Sequence, residues 1–115
     1  GGGAVFDTTS VVEIHGSAFA DNVATAENAR GGALKFTGVS LQARVKDTTF
    51  TSNRASGLHA LGGAVVADES RVDFQRTDFT DNSVDLGDGG GAVAVVGNSG
   101  VTFAAASDCG RVVVM

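Results

Sequence analysis

Hydrophobic and polar residues alternate along short stretches of the chain, and the alternation recurs at a regular interval. Residues 12–15 read Val-Glu-Ile-His, and equivalent stretches begin at Ala43, Val72 and Val101. Alternation with a period of two residues is typical of a β-strand that buries one face. No apolar stripe of helical period persists over ten residues. The pattern therefore predicts an all-β fold.

Two short motifs recur along the chain with one shared period. A Gly-Gly-Ala-[Val/Leu] motif occurs four times, and its second glycines are Gly3, Gly32, Gly63 and Gly91. A Phe-x-x-Asn motif lies between successive glycine motifs, at Phe19/Asn22, Phe50/Asn53 and Phe79/Asn82. The glycines advance by 29, 31 and 28 residues, and the asparagines advance by 31 and 29. Because two independent motifs keep the same period, we infer an internal structural repeat.

Each repeat is expected to supply about three short strands. One follows the glycine pair, one is the alternating stretch, and one ends at Phe-x-x-Asn. This content matches one coil of a parallel β-helix, in which equivalent strands stack, whereas a propeller blade needs roughly 40–45 residues. The sequence thus predicts one β-helix segment over residues 1–115, with about four coils at residues 2–30, 31–61, 62–89 and 90–115. Residues 23–30 and 54–61 are interpreted as loops.

The repeated residues are interpreted as structural ladders that run along the stacked coils. Phe19, Phe50 and Phe79 are expected to stack in the core. The asparagines at 22, 53 and 82 follow a strand, where this residue type tolerates left-handed backbone and its amide can bond the coils on either side. The paired glycines allow unusual dihedral angles and close approach of backbones. None of these residues is assigned a catalytic role.

The combination of the two motifs resembles the repeat of the polymorphic outer membrane proteins. The resemblance extends from Gly2 to about Phe103, and it implies a right-handed parallel β-helix in a surface-exposed protein involved in adhesion. The fourth repeat departs from the pattern, because Asp108 stands where phenylalanine is expected and Arg111 where asparagine is expected.

Composition and charge exclude some classes of molecule as expected partners of the chain. The chain has 115 residues, of which 43% are hydrophobic and 18% charged, with 17 glycines and no proline. Its net charge of −5 argues against nucleic acid as a partner. The apolar runs are too short to span a bilayer, so no transmembrane segment is expected. The single cysteine, Cys109, cannot form an internal disulfide.

The most acidic stretch is the one place where ligand chemistry is considered. Asp81, Asp85 and Asp88 are candidate ligands for calcium, which takes six to eight oxygen atoms. Their spacing matches neither an EF-hand loop nor a nonapeptide calcium repeat, so the favoured interpretation is a solvated loop. Asp78 and Asp81 are also considered as paired carboxylates of a glycoside hydrolase, but the equivalent positions of the neighbouring repeat are threonine and serine. No metal, cofactor or enzymatic activity is therefore predicted.

Three hypotheses about function follow from these observations. The first is a non-catalytic structural or adhesive segment of an extracellular or cell-surface protein. The alternatives are a fragment of a β-helical carbohydrate-active enzyme and an accessory subunit packed in a larger assembly. We expect the coil ends to contact the remainder of a longer chain or neighbouring subunits, because open solenoid ends expose unpaired backbone. A glycan or host-surface ligand is a further expected partner.

Overall fold

The computed structural model describes residues 4–7, 11–39, 42–85, 91–97, 99–104, 107–108 and 112–114, with side chains described for residues 11–39, 42–85, 91–97 and 99–101. These residues form short strands joined by turns. Every strand pair among them is parallel, as the repeat pattern predicted. The prediction of an all-β fold is confirmed.

The strands, numbered in chain order, belong to four sheets that we name A to D. Sheet A contains β1 (Ala4–Asp7), β5 (Leu34–Thr37), β9 (Val65–Asp68), β13 (Val93–Val96) and β16 (Val112–Val114). Sheet B contains β2 (Val11–His15), β6 (Gln42–Lys46), β10 (Arg71–Gln75) and β14 (Gly100–Ala104). Sheet C contains β3 (Ala18–Ala20), β7 (Thr49–Thr51), β11 (Asp78–Thr80) and β15 (Ser107–Asp108). Sheet D contains β4 (Val23–Thr25), β8 (Arg54–Ser56) and β12 (Ser83–Asp85).

Equivalent residues of successive repeats are paired across each sheet. In sheet B, Val12 is opposite Ala43, and Val72 is opposite both Ala43 and Val101. These four residues occupy one column of the sequence alignment. The register is specified because a shift by one residue would turn the apolar face of each strand toward solvent.

The prediction of about three strands per repeat is wrong, because the described part of each of the first three repeats contains four. The additional strands are those of sheet D, in segments interpreted as loops. Each has three residues, and the inward position holds Ala24, Ala55 or Val84. So short a stretch with a small inward residue has no clear alternating pattern. The strands of sheet D form because their backbones pair between repeats, Ala24 with Ala55 and Ala55 with Val84.

The core lies between the inward faces of the sheets. Its largest fully buried side chains are Phe36, Phe50, Phe74, Phe79, Leu34 and Val39. A smaller cluster joins Ala24 and Ala55 of sheet D to Ala29 and Ala60, which follow these strands along the chain. Small side chains at this position allow the chain to turn closely before the next glycine pair.

In the described part of the chain, most turns between strands have one residue with left-handed backbone, at the same place in successive repeats. After the strands of sheet A this residue is Gly38, Glu69 or Gly97, with φ of 65°, 48° and 70°. After the strands of sheet B it is Gly16, Asp47 or Arg76. Left-handed backbone costs a non-glycine residue roughly 1–2 kcal/mol. At Glu69, Asp47 and Arg76, the left-handed backbone is therefore imposed by the stacking of the repeats and not by the residue type.

Candidate functional site

The three phenylalanines of the Phe-x-x-Asn motif lie on sheet C, and their rings stack. The ring centroids of Phe19 and Phe50 are 5.0 Å apart with planes 7° apart, and those of Phe50 and Phe79 are 4.9 Å apart with planes 6° apart. Phe50 and Phe79 are fully buried, whereas Phe19 is half-buried at the end of the stack. Phe74 meets Phe79 edge-on, at 5.2 Å and 77°. Parallel and edge-on ring pairs are both favourable, so these rings form an aromatic centre of the core.

The asparagines form a hydrogen-bonded ladder along the same repeats. Asn22 Nδ2 donates to Asn53 Oδ1 at 2.9 Å, and Asn53 Nδ2 donates to Asn82 Oδ1 at 3.0 Å. Each acceptor oxygen also receives the backbone N–H of the preceding asparagine, at 3.1 Å and 2.9 Å. Asn53 Nδ2 makes a further bond to the backbone oxygen of Phe19 at 2.9 Å. Because Asn53 is fully buried, these bonds offset the desolvation of its amide.

The residue before each asparagine adopts the left-handed backbone of this turn. Asp21, Ser52 and Asp81 have φ of 58°, 55° and 55°. The interpretation of the asparagines themselves as left-handed residues is wrong. Short polar side chains are among those that tolerate this conformation best. Because the preceding residue makes the turn, each asparagine is placed to direct its amide along the ladder.

Gly32 and Gly63, the second glycines of two Gly-Gly pairs, lie where two backbones pass close together. A Cβ atom on Gly32 would collide with the carbonyl oxygen of Gly63, and a Cβ on Gly63 would collide with that of Gly91. Gly31, the first glycine of one pair, has a left-handed φ of 69°. A Cβ on Gly31 would also collide with the carbonyl oxygen of Leu34, so the first glycine meets requirements of both backbone angle and space, and the second a requirement of space. Gly3 lies outside the described residues.

A second polar ladder, of serines, was not predicted from the sequence. The backbone N–H of Val39 donates to Ser70 Oγ at 3.0 Å, and the backbone N–H of Ser70 donates to Ser99 Oγ at 3.0 Å. Ser70 Oγ donates to the backbone oxygen of Asp68 at 2.9 Å. The signal available in the sequence was the recurrence of serine 29 residues apart, shortly after a sheet A strand. Val39 interrupts the column, which conceals the ladder in an alignment.

An ion pair that sequence analysis also missed joins two equivalent turn residues of successive repeats. Arg76 Nε donates to Asp47 Oδ1 at 2.6 Å, and Arg76 Nη2 donates to Asp47 Oδ2 at 3.1 Å. The hydrogen bonds from Arg76 hold the pKa of the Asp47 carboxyl below its ordinary value. Because both residues are exposed, the pair is expected to add little to the free energy of folding.

The candidate acidic residues do not converge in the described part of the chain. Asp81 is an exposed turn residue, and Asp85 forms an ion pair with Arg54, with Nε and Oδ2 3.3 Å apart. Asp88 lies outside the described residues. Among the residues that the structure describes, no three His, Cys, Asp or Glu side chains are grouped closely enough to hold a metal ion. Asp78 lies on the exposed face of sheet C, where its backbone pairs with Thr49.

Comparison with protein-family models, curated proteins and solved structures gave no match to this chain. In the described segments, no helix has the length and apolar character needed to cross a membrane. The candidate site is therefore defined by the chain's own repeated residues: the phenylalanine stack, the asparagine ladder and the close glycine contacts.

Proposed function

We propose that this chain is a non-catalytic structural or adhesive segment of an extracellular or surface-attached protein. One observation carries the proposal: the side chains that recur in the repeats contact their equivalents in the neighbouring repeats. The phenylalanine rings do so at 4.9–5.0 Å and the asparagine amides at 2.9–3.0 Å. The repeated chemistry thus joins one repeat to the next, which is what a scaffold requires.

The architecture within this proposal is a right-handed parallel β-helix with coils at residues 2–30, 31–61, 62–89 and 90–115. The strand order supports it, since sheets A to C each take one strand from successive repeats in turn. About 98% of crossover connections between parallel strands of one sheet are right-handed, which supports the hand. A small-angle scattering profile that fits a short rod of stacked coils would agree with this architecture.

The proposed location at the cell surface, and the family resemblance, rest on the recurrence of Gly-Gly-Ala-[Val/Leu] with Phe-x-x-Asn. In this proposal the coil ends contact the remainder of a longer chain or neighbouring subunits. A glycan or a host-surface component is the proposed ligand of the outer faces. Those faces carry short polar side chains such as Thr49, Thr51 and Thr80, which are exposed on sheet C. Exposed hydroxyl groups can donate and accept hydrogen bonds in polar contacts to a glycan.

The test of this proposal separates binding from catalysis. The purified chain is applied to a glycan array and incubated with the same polysaccharides while reducing ends are counted. We expect retention on some glycans and no new reducing ends. Release of sugar that disappears in Asp78→Asn or Asp81→Asn, but persists in Asp73→Asn, would overturn the non-catalytic assignment in favour of a carbohydrate-active enzyme. Asp73 is the matched control because it also lies on an outward column, opposite Arg44.

A further inference from the structure

Two arginines on the outward face of sheet B have no carboxylate partner among the described residues. Arg44 lies on β6 and Arg71 on β10, and both side chains are exposed. Arg54 on sheet D, by contrast, forms an ion pair with Asp85. Strands β6 and β10 are the inner strands of sheet B, with β2 and β14 on either side. The two arginines therefore lie on a part of the face that has paired strands on both sides.

The acids opposite Arg44 do not hold its guanidinium. Arg44 is paired with Glu13 on one side and with Asp73 on the other. Its Nη2 donates to Gln42 Oε1 at 3.4 Å, whereas Asp73 Oδ2 accepts from Gln75 Nε2 at 3.1 Å. The Arg44 guanidinium is thus directed along its own strand toward Gln42.

Arg71 lies beside the residue toward which Arg44 is directed. Val72 is paired with Ala43. Arg71 and Gln42 each come one residue earlier, so they are also side by side. Strand spacing and rise per residue place the Cα atoms of Arg44 and Arg71 roughly 8 Å apart. Because both side chains are long, their guanidinium groups can donate to one carboxylate, in charge-assisted hydrogen bonds that are stronger than neutral ones.

The fourth repeat leaves space next to this pair. Arg71 is paired with Gly100 on β14. A Cβ atom on Gly100 would meet no described atom closer than Cγ of Arg71, at 3.9 Å, and the φ of Gly100 is not left-handed. Gly32, by contrast, has no room for a Cβ. Neither backbone angle nor packing among the described residues requires glycine at position 100, and its lack of a side chain opens the face beside Arg71.

We propose that Arg44 and Arg71 bind the carboxylate of an acidic glycan, with a neighbouring sugar in the space over Gly100. This inference rests on the proposed function, because it names the chemical class of the glycan proposed there as a ligand. The two guanidinium groups donate to the carboxylate. Gln42 Nε2, for which the described residues supply no acceptor, donates to a sugar hydroxyl.

The acids on the same face limit how much negative charge the ligand can carry. Glu13 and Asp73 repel a polymer with closely spaced charges, such as a nucleic acid. The exposed Glu13 carboxylate accepts hydrogen bonds from hydroxyl groups, which a glycan supplies along its length. A glycan with one carboxylate among several hydroxyl groups therefore complements both kinds of charge. Sheet C is less suitable, since its described outward residues include Asp78 and no cation.

The probe is a hexasaccharide of alternating glucuronic acid and N-acetylglucosamine, and the matched control is the same hexasaccharide with its carboxylates reduced to alcohols. Binding to the isotope-labelled full chain is followed at low ionic strength by the Nε–H resonances of the arginines. We expect shifts at Arg44 and Arg71 but not at Arg54. Since charge-assisted hydrogen bonds are lost, we expect the reduced hexasaccharide to bind about tenfold more weakly or worse.

Variants of the exposed face test the same contacts from the side of the protein. Arg44→Gln and Arg71→Gln are each expected to weaken binding about tenfold, whereas Arg54→Gln makes the same change of charge on sheet D and should have no effect. Gly100→Glu fills the space and offers Arg71 an internal carboxylate, so we expect a loss of similar size. Gly100→Ala should stay within about twofold of the parent chain. Circular dichroism and the thermal midpoint show whether each variant is folded.

Equal affinity for the acidic and the reduced hexasaccharide would overturn the proposal. So would parental affinity in folded Arg44→Gln and Arg71→Gln, or shifts confined to other residues. Binding of a hexaglutamate peptide as tight as that of the hexasaccharide would replace the glycan by an acidic polypeptide. On the glycan array, retention on neutral glycans alone would overturn this inference and leave the proposed function intact, whereas retention on no glycan would contradict the proposed glycan ligand as well.

Discussion

Asn82 Oδ1 accepts two hydrogen bonds from Asn53, one from Nδ2 at 3.0 Å and one from the backbone N–H at 2.9 Å. The two residues belong to different repeats and are 29 positions apart. One side-chain oxygen thereby satisfies both a buried amide and a buried turn backbone. The ladder is therefore a structural device that couples each repeat to the next.

Replacing the central asparagine is expected to cost more than replacing the first. Asn53→Leu keeps the number and branching of the side-chain heavy atoms but leaves the Asn22 donors and Asn82 Oδ1 without their partners. Since each unsatisfied buried group costs about 1–3 kcal/mol, we expect a loss of about 3 kcal/mol or more. The matched change Asn22→Leu, at the half-buried end of the ladder, is expected to cost about 1 kcal/mol. Equal losses in urea denaturation would contradict the ladder.

The pH dependence of stability in Asn53→Asp is a second test of the ladder. In Asn53→Asp one carboxyl oxygen keeps the two donors from Asn22, but the other faces the acceptor oxygens of Phe19 and Asn82. Because the group is also buried away from water, its pKa in the folded state is expected to rise above its unfolded value. Protonation restores a donor toward Asn82. The destabilisation relative to the parent chain should therefore be largest at neutral pH and should shrink as the pH falls. A destabilisation that does not vary between pH 4 and pH 7 would argue against burial of this side chain among acceptors.

In the phenylalanine stack, removing a central ring is expected to cost more stability than removing a ring at the end. Phe50→Ala removes a fully buried ring that contacts Phe19 and Phe79, and we expect a loss of about 3–5 kcal/mol. Phe19→Ala removes a half-buried ring with one stacked neighbour, and we expect about 1–2 kcal/mol. Guanidinium unfolding of both variants measures the difference. A larger loss from Phe19→Ala would be inconsistent with the order of the stack.

Glu69 offers a stabilising substitution. It has a φ of 48°, while the equivalent turn residues Gly38 and Gly97 are glycine. Glu69→Gly removes the strain of left-handed backbone but adds freedom to the unfolded chain, so we expect a net gain of about 0.5–1 kcal/mol. Glu69→Ala removes the same side chain and keeps the strain, so its thermal midpoint should change little. If both variants behave alike, the strain at this turn is not significant.

The ion pair between Asp47 and Arg76 predicts a dependence of stability on acid. The pKa of Asp47 is lowered in the folded chain by the hydrogen bonds from Arg76. The contribution of the ion pair to stability is therefore fully present above the unfolded pKa of about 3.9, and it is lost as the pH falls through the lower folded pKa. Carbon-detected NMR titration of the Asp47 carboxyl measures this pKa. Arg76→Gln should raise it toward the ordinary value, and Arg71→Gln is the control. An unchanged Asp47 titration in Arg76→Gln would refute the pairing.

The parts of the fold that were predictable are those with a repeated, chemically distinctive residue. Columns such as Val12 with Ala43 could be aligned because phenylalanine and asparagine set the register. Sheet D was missed because its strands are stabilised by pairing between repeats, and three residues around one alanine carry little local pattern. The ladder through Ser70 was missed because Val39 contributes a backbone N–H where the alignment shows only an apolar side chain.

The turns and the ion pair could not be predicted for a different physical reason. Which of two adjacent residues takes left-handed backbone, Ser52 or Asn53, depends on where the next strand must begin. That position is fixed by the neighbouring repeats and not by local preference. The pairing of Asp47 with Arg76 likewise needs the register of two turns as well as the residue types.

The most direct test of stacked parallel repeats is a set of proton distances measured by NMR in solution. Nuclear Overhauser effects should join the ring of Phe50 to those of both Phe19 and Phe79, whose centroids lie 5.0 and 4.9 Å away. None should join Phe19 directly to Phe79. Cross-strand backbone contacts between β2 and β3, such as Val12 with Ala20, would instead indicate an antiparallel hairpin and would contradict the account.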